Sequence, residues 1–430
     1  MTMPPSGSSF RLVRWNDRAV VAVALVSFAS GFGQFGIVAA LGDVAKGFGQ
    51  VTHGATLADQ AGLSGTVLGV GLAISRLASL GSLPLTGLAD RFGRRIMLLV
   101  TVSAGLALTA VAAASPSYWW FVAIFACGRP LLSASTGLAQ VSAAEQTSSA
   151  DRAKAVAFIT AGYAVGAGLV AVIHSLASST LGFRGVFALA LVPLALLPLL
   201  RRWIVEPDRF AKAAASADHP VPVLGAVAKP FRRRLLVVIV LAFAVSVITG
   251  PANSFVFLYA QNVLHLSGVV TAGMVVAGGL TGLLGLLAGR WLADHFGRRP
   301  TGGLALVAVA LVATLAYSGS AAALIIGYVT GVFAGAVLAP SLGALLNELF
   351  PTSVRASAAG WWLASGVLGA VVGLVVFGAV ATVKNRFGIA AVITFLPMSL
   401  AMGLFWLVPE TRGREPEDLW PDGGGDSNSG

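Results

Sequence analysis

Residues 87–95 read GLADRFGRR, and residues 292–299 read LADHFGRR. Asp90 and Asp294 hold the same place in the two phrases, 204 positions apart. The recurrence is notable because charge is scarce here. Of 430 residues, 57% are hydrophobic and only 10% charged, with a mean hydropathy of +0.86. A soluble domain carries about 25% charged residues, so the solvent of this chain is lipid. Ala19 to Leu41 and Leu235 to Leu258 contain no Asp, Glu, Lys or Arg, and roughly 20 such residues cross a bilayer core of about 30 Å. The first run is too long for a signal-peptide core and follows a polar tail, so it reads as a retained helix.

Continuing outward from the two phrases, the hydropathy pattern predicts an all-α membrane protein with about twelve spanning segments. A tail over 1–18 precedes a six-helix bundle at 19–200. A polar, Ala- and Pro-rich linker at 201–234 leads to a second six-helix bundle at 235–408, and a tail over 409–430 follows. With the N-terminus on one side, 22 of the 28 Lys and Arg fall on that side and four on the other. The positive-inside rule then places both termini in the cytoplasm and the chain in the cytoplasmic membrane. The net charge of +11 is accordingly a topology signal, and no nucleic-acid partner is expected. Cys127 is the single cysteine and reads as a small buried hydrophobe.

The phrase is one of several matched landmarks. Glu145 and Arg152 match Glu348 and Arg355 at an offset of 203, and Glu206 matches Glu410 at 204. Because six is even, the two halves are expected to be parallel repeats about an axis along the membrane normal. GLADRFGRR with its echo resembles the signature loop of the major facilitator superfamily. NELFPTSVRASAAG (347–360) and PETRGR (409–414) resemble the sugar-porter and metabolite–proton symporter branches. Thr86 and Arg290 stand where the family usually has Gly four residues before the Asp. The resemblance implies the major facilitator fold and a cytoplasmic gate built from Asp90, Arg94, Arg95, Glu145, Arg152 and Glu206, with Asp294, Arg298, Arg299, Glu348, Arg355 and Glu410 as the second copy. Weak, partly exposed ion pairs suit a latch that must reopen, and the expectation is that these arginines reach across a moving interface. The plainer reading is that they fix topology.

Two basic residues lie inside spanning segments. Arg76 lies about 13 residues into segment 2, roughly 20 Å, and Arg129 about 11 residues into segment 4, roughly 16 Å, at 1.5 Å per residue, so both sit near the midplane. All 17 acidic residues lie away from the bilayer centre. An intramembrane cation is costly and faces a cavity or a partner. Ser133, Thr136 and Gln140 share the helical face of Arg129, Ser27, Ser30 and Gln34 form a stripe in the first segment, and Ser246, Thr249 and Asn253 form one in the seventh. The family implies that segments 1, 4, 7 and 10 line the cavity. Candidates for the substrate cavity are Gln34, Arg76, Arg129, Ser133, Thr136, Thr249, Asn253 and Tyr328. Small polar residues in membrane helices more often hold helices together. Asp43 and His174 are candidates for a proton relay, since no midplane carboxylate exists.

These observations point to a secondary transporter of a small solute, an organic anion on the balance of embedded charge, working with a proton as an importing symporter. The first alternative is a proton-driven exporter, although GYAVGAGLV (162–170) lacks the Pro that exporters of the family often carry. A transporter-derived sensor is more remote. The five His are scattered without an HExxH, and none of the five Lys sits in a GxxxxGK[ST] loop. No enzyme, ATP-driven pump, metal or cofactor is expected, and the partners are the lipid bilayer, the solute and a proton, with the chain acting as a monomer.

Overall fold

The structure is a computed structural model that describes residues 13–54, 56–206, 227, 229–382, 386–414 and 419–420. Most of the tails, 207–226 of the linker and Lys384 therefore lie outside the described residues. Twelve helices among the described residues are long and apolar enough to cross a membrane. They are α1 (Arg18–Ala39), α2 (Gly65–Phe92), α3 (Arg94–Ala112), α4 (Tyr118–Gln146), α5 (Asp151–Ala177) and α6 (Ser179–Pro198), then α7 (Lys229–Val263), α8 (Gly268–Phe296), α9 (Arg298–Ala316), α10 (Ala321–Glu348), α11 (Val354–Ala381) and α12 (Phe387–Leu407). The chain is thus an all-α membrane protein.

Within each set of six, small residues decide the contacts. Gly31 of α1 lies against the backbone of Tyr163, and Gly166 of α5 against that of Phe28, so these two helices touch backbone to backbone. Gly369 and Gly373 bring α11 onto α7 in the same way. With no hydrophobic drive between helices in lipid, such close approach is what holds them together. Ser30 serves this purpose too, bonding Ser135 across the α1–α4 contact.

The two sets of six meet at one end. Gly65 and Gly69 at the start of α2 lie on Gly378 and Leu374 of α11, and Thr66 N donates to Thr382 Oγ1 at 2.8 Å. Gly268 at the start of α8 lies on the Ser175 carbonyl of α5. Gly42, just beyond α1, lies on Asn262 of α7. These contacts close the end away from Asp90 and Asp294.

The opening phrase is a helix end followed by a one-residue turn. α2 runs to Phe92 and α3 resumes at Arg94, leaving Gly93 alone to make the turn, and Gly297 does the same between α8 and α9. Asp90 and Asp294 are therefore last-turn helical residues.

Candidate functional site: a central cavity and two helix elbows

A cavity of about 480 Å³ lies between the two sets of six helices. The first set contributes Gln34 and Phe35 from α1, Arg76 from α2, Arg129 from α4 and Tyr163 from α5. From the second set come Thr249 and Asn253 of α7, Tyr328 of α10 and Tyr317 just after α9, with Ala, Val and Gly between them. No carboxylate is among the lining residues. Segments 2, 5 and 9 thus join the four that family resemblance implied.

Gln34 organises the polar side. Arg129 is 7% exposed and its Nη1 donates to the Gln34 carbonyl at 2.8 Å. Ser133 Oγ donates to Gln34 Oε1 at 3.3 Å, and Gln34 Nε2 donates to Thr136 Oγ1 at 3.4 Å. Ser133 and Thr136 therefore orient Gln34 and are not among the cavity-lining residues. Arg129 Nε is buried with no hydrogen-bond partner. The acceptor that Arg129 does use is a neutral carbonyl, so the guanidinium keeps its full charge in a site largely screened from water. Ser27 and Ser30 are fully buried away from the cavity, and Thr330 is exposed. Gln140 bonds Thr160 instead, at 3.5 Å.

Tyr163 and Tyr317 were not among the sequence candidates. Tyr163 shares a face with Thr160, a stripe legible in sequence. Tyr317 lies at a helix end, where periodicity says nothing. Its hydroxyl donates to the Ala252 carbonyl at 2.8 Å, which fixes the ring against α7.

Asp43 and His174 come together at the closed end. His174 Nε2 and Asp43 Oδ2 are 2.8 Å apart, with the His side chain 1% exposed and its Nδ1 without a partner. Asp43 sits on the short helix Leu41–Phe48 that continues α1. The neighbours of this pair, Gly42 and Ser175, are the residues that touch Asn262 and Gly268 of the other set.

The carboxylate contacts of the elbows at the basic end repeat from one half to the other. Glu206 accepts from Arg94 N at 2.6 Å and Arg95 N at 3.0 Å, and Glu410 accepts from Arg298 N at 2.9 Å and Arg299 N at 3.0 Å. Each carboxylate caps a helix whose first N–H groups have no partner of their own and whose dipole favours negative charge. Burial raises the Glu410 pKa, but backbone N–H bonds from Arg299, Arg298, Arg412 and Thr411 outweigh it, and the net shift is downward. Arg94 Nη2 reaches Asp90 at 2.7 Å and Glu145 at 3.4 Å, and Arg298 Nη2 reaches Asp294 at 3.4 Å and Glu348 at 3.6 Å. Each of these pairs closes within one set of six, where the sequence led us to expect bridges between sets. Arg95 Nη2 donates to the Arg201 carbonyl at 3.1 Å. Arg299 donates to the carbonyls of Phe405 and Trp406 at 3.0 and 2.8 Å. The second arginine of each phrase therefore ties down the chain just past α6 or the last turn of α12 and does not meet a carboxylate in these contacts. Arg152 is exposed, and Arg355 donates to the Phe350 carbonyl at 3.2 Å.

Gly93 (φ 96°, ψ 146°) and Gly297 (φ 104°, ψ 158°) occupy backbone space open almost only to glycine. A Cβ would lie 3.0 Å from Glu206 Oε2 at the first elbow and 2.7 Å from Glu410 Oε2 at the second. Gly297→Ala is expected to cost about 1–3 kcal/mol and to lower the thermal midpoint in detergent more than Gly93→Ala. Equal or negligible shifts would remove the capping carboxylate from the explanation.

The Major Facilitator Superfamily signature matches residues 23–292 and 279–422. A "Probable 4-methylmuconolactone transporter" of Cupriavidus pinatubonensis is 28% identical over 294 residues, spanning 64% of this chain and 66% of that protein. The chain thus aligns with just under two thirds of that relative's length. A "Putative metabolite transport protein" of Haemophilus influenzae is 24% identical, over 78% of this chain and 85% of that one. The xylose transporter of E. coli, solved in an inward-open conformation, superposes with a TM-score of 0.71 at 19% identity, covering 93% of this chain and 99% of that one. With the signature matched along most of its length and twelve spanning helices, the chain belongs to the Major Facilitator Superfamily and is a multi-pass membrane transporter.

Proposed function

We propose that the chain moves a small organic anion across the cytoplasmic membrane by alternating access, in company with a proton and as a single chain. The observation that carries this reading is the cavity's charge. It holds Arg76 and Arg129 and no carboxylate, and arginine cannot shed its proton to escape. A carboxylate or phosphate matches the guanidinium fork, and Arg129 Nε is free to receive one. The apolar wall of the second set suits the body of such a solute. A volume of about 480 Å³ lies within the range of about 300–1,000 Å³ usual for small-molecule sites. One relative is named for a lactone, cargo of a size this cavity admits.

On this reading the basic end faces the cytoplasm, as the positive-inside rule requires, and the conformation is inward-open. Asp90, Arg94 and Glu145, with Asp294, Arg298 and Glu348, then brace the open end. Glu145 Oε2 and Glu348 Oε2 are buried without hydrogen-bond partners, and they supply acceptors for the opposite set when that end closes. The test is uptake into proteoliposomes of a panel of small carboxylates, phosphates and neutral sugars, with and without an inward-acid pH gradient. The expected result is carboxylate uptake stimulated by the gradient. Uptake of sugars alone, unaffected by anions, would refute it.

A further inference from the structure

A groove on the outer flank of the first six helices is chemically unlike a plain lipid-facing surface. It runs between α3 and α6 at the basic end and measures about 1150 Å³. Its walls include Ile96, Leu99, Val100, Leu194 and Pro198, and Arg95, Arg201 and Arg202 line its basic end. From Arg95 to Ala104 it follows α3 for about 13 Å of helix rise.

The repeat explains why the space exists. At an offset of 204, Arg201 and Arg202 correspond to Phe405 and Trp406. Those two rings lie on Gly302 and Gly303, filling the matching place between α9 and α12. In the first set the glycine positions are Leu98 and Leu99 and the aromatic positions are arginines. One half fills the gap with its own side chains, and the other leaves it open and rims it with positive charge. Arg95 spends Nη2 on the Arg201 carbonyl, but its Nε is buried without a partner. Arg201 and Arg202 are exposed.

We propose that this groove binds one anionic phospholipid, with its phosphate on Arg95, Arg201 and Arg202 and an acyl chain along the apolar wall. Apolar walls alone select nothing in a membrane, because lipid tails are as apolar as leucine. Selection comes from the arginines, which stand where the headgroup layer meets the hydrocarbon and present planar donors that fit a phosphate. Basic pockets between spanning helices take anionic headgroups for this reason. The site is separate from the cavity, and it stands or falls independently of the cargo.

The experiment uses the full-length chain in detergent, with phosphatidylglycerol and phosphatidylcholine added in equal amounts and retention read by native mass spectrometry. Phosphatidylglycerol should be retained in preference. Arg201→Gln with Arg202→Gln should weaken it about twenty-five-fold, at about fivefold for each arginine, and the backbone carbonyl that Arg95 uses remains in that variant. Ser103→Trp, which plugs the groove and keeps the arginines, should weaken it as well. Arg232→Gln with Arg233→Gln, exposed at the same end on α7, should not. Equal retention of the two lipids, undiminished binding in Ser103→Trp, equal loss from both arginine pairs, or full competition by glycerol phosphate would each overturn the proposal.

Discussion

Arg129→Gln is expected to weaken binding of an anionic solute about a hundredfold, and Arg129→Lys about tenfold, since hydrogen bonds to a charged group contribute about 1.5–3 kcal/mol. Arg129 is nearly fully buried, anchored through Nη1 to the Gln34 carbonyl, with Nε bare. Glutamine removes the charge and the fork together. Lysine keeps the charge as a point donor and loses the bidentate geometry. Arg76→Gln should do less, because Arg76 is only partly buried and shares its charge with water. The measurement is equilibrium binding and initial uptake rate for the best carboxylate from the panel, with a neutral solute as control. A variant at Arg129 that lost neutral and anionic solutes alike would show a packing defect instead of an anion site. Undiminished anion affinity in Arg129→Gln would remove the residue from the site altogether.

Asp43→Asn and His174→Gln are expected to leave solute exchange intact and to abolish accumulation driven by a pH difference. A carrier that moves one proton per solute can concentrate that solute about tenfold per unit of pH difference, the equivalent of about 1.4 kcal/mol. An uncoupled variant concentrates it not at all. The cavity has no carboxylate to carry the proton, whereas Asp43, partly exposed, and His174, buried, form an acid–base couple outside it. On the proposed reading, the position of this couple links the proton to the solute. Gly42 and Ser175, the chain neighbours of the pair, make contacts between the two sets of helices at the closed end. A change in the charge of the pair therefore acts on the seam that must open. Counterflow in proteoliposomes reads exchange, uptake under an imposed gradient reads accumulation, and thermal midpoints of both variants report folding. A well-folded variant that still concentrates solute would place the proton elsewhere.

Much of this protein is legible in its residue order. Hydropathy is a local property, and the bilayer accepts only segments that satisfy their own backbone hydrogen bonds. Twelve spans, the duplication and the basic side all follow from where apolar runs and charges fall along the chain. The repeat offsets of 203 and 204 carry through to matching contacts at both elbows. Arg76 and Arg129 stand out because a charge within an apolar run needs a cavity or partner wherever the chain folds.

Other features depend on tertiary placement. Ser27, Ser30, Ser133 and Gln34 share the same polar vocabulary, yet only Gln34 among them reaches the cavity. A stripe's direction is set by which neighbour packs on it. The arginines of the opening phrase look suited to carboxylates across an interface, but Arg95 and Arg299 meet carbonyls just past α6 and at the end of α12. Donor chemistry is written in the side chain, but the acceptor is chosen by proximity. Asp43 and His174, 131 positions apart, become a pair only because α1 and α5 pack backbone to backbone through their glycines. Residue order determined the membrane architecture, and helix packing decided which of its few polar groups meet.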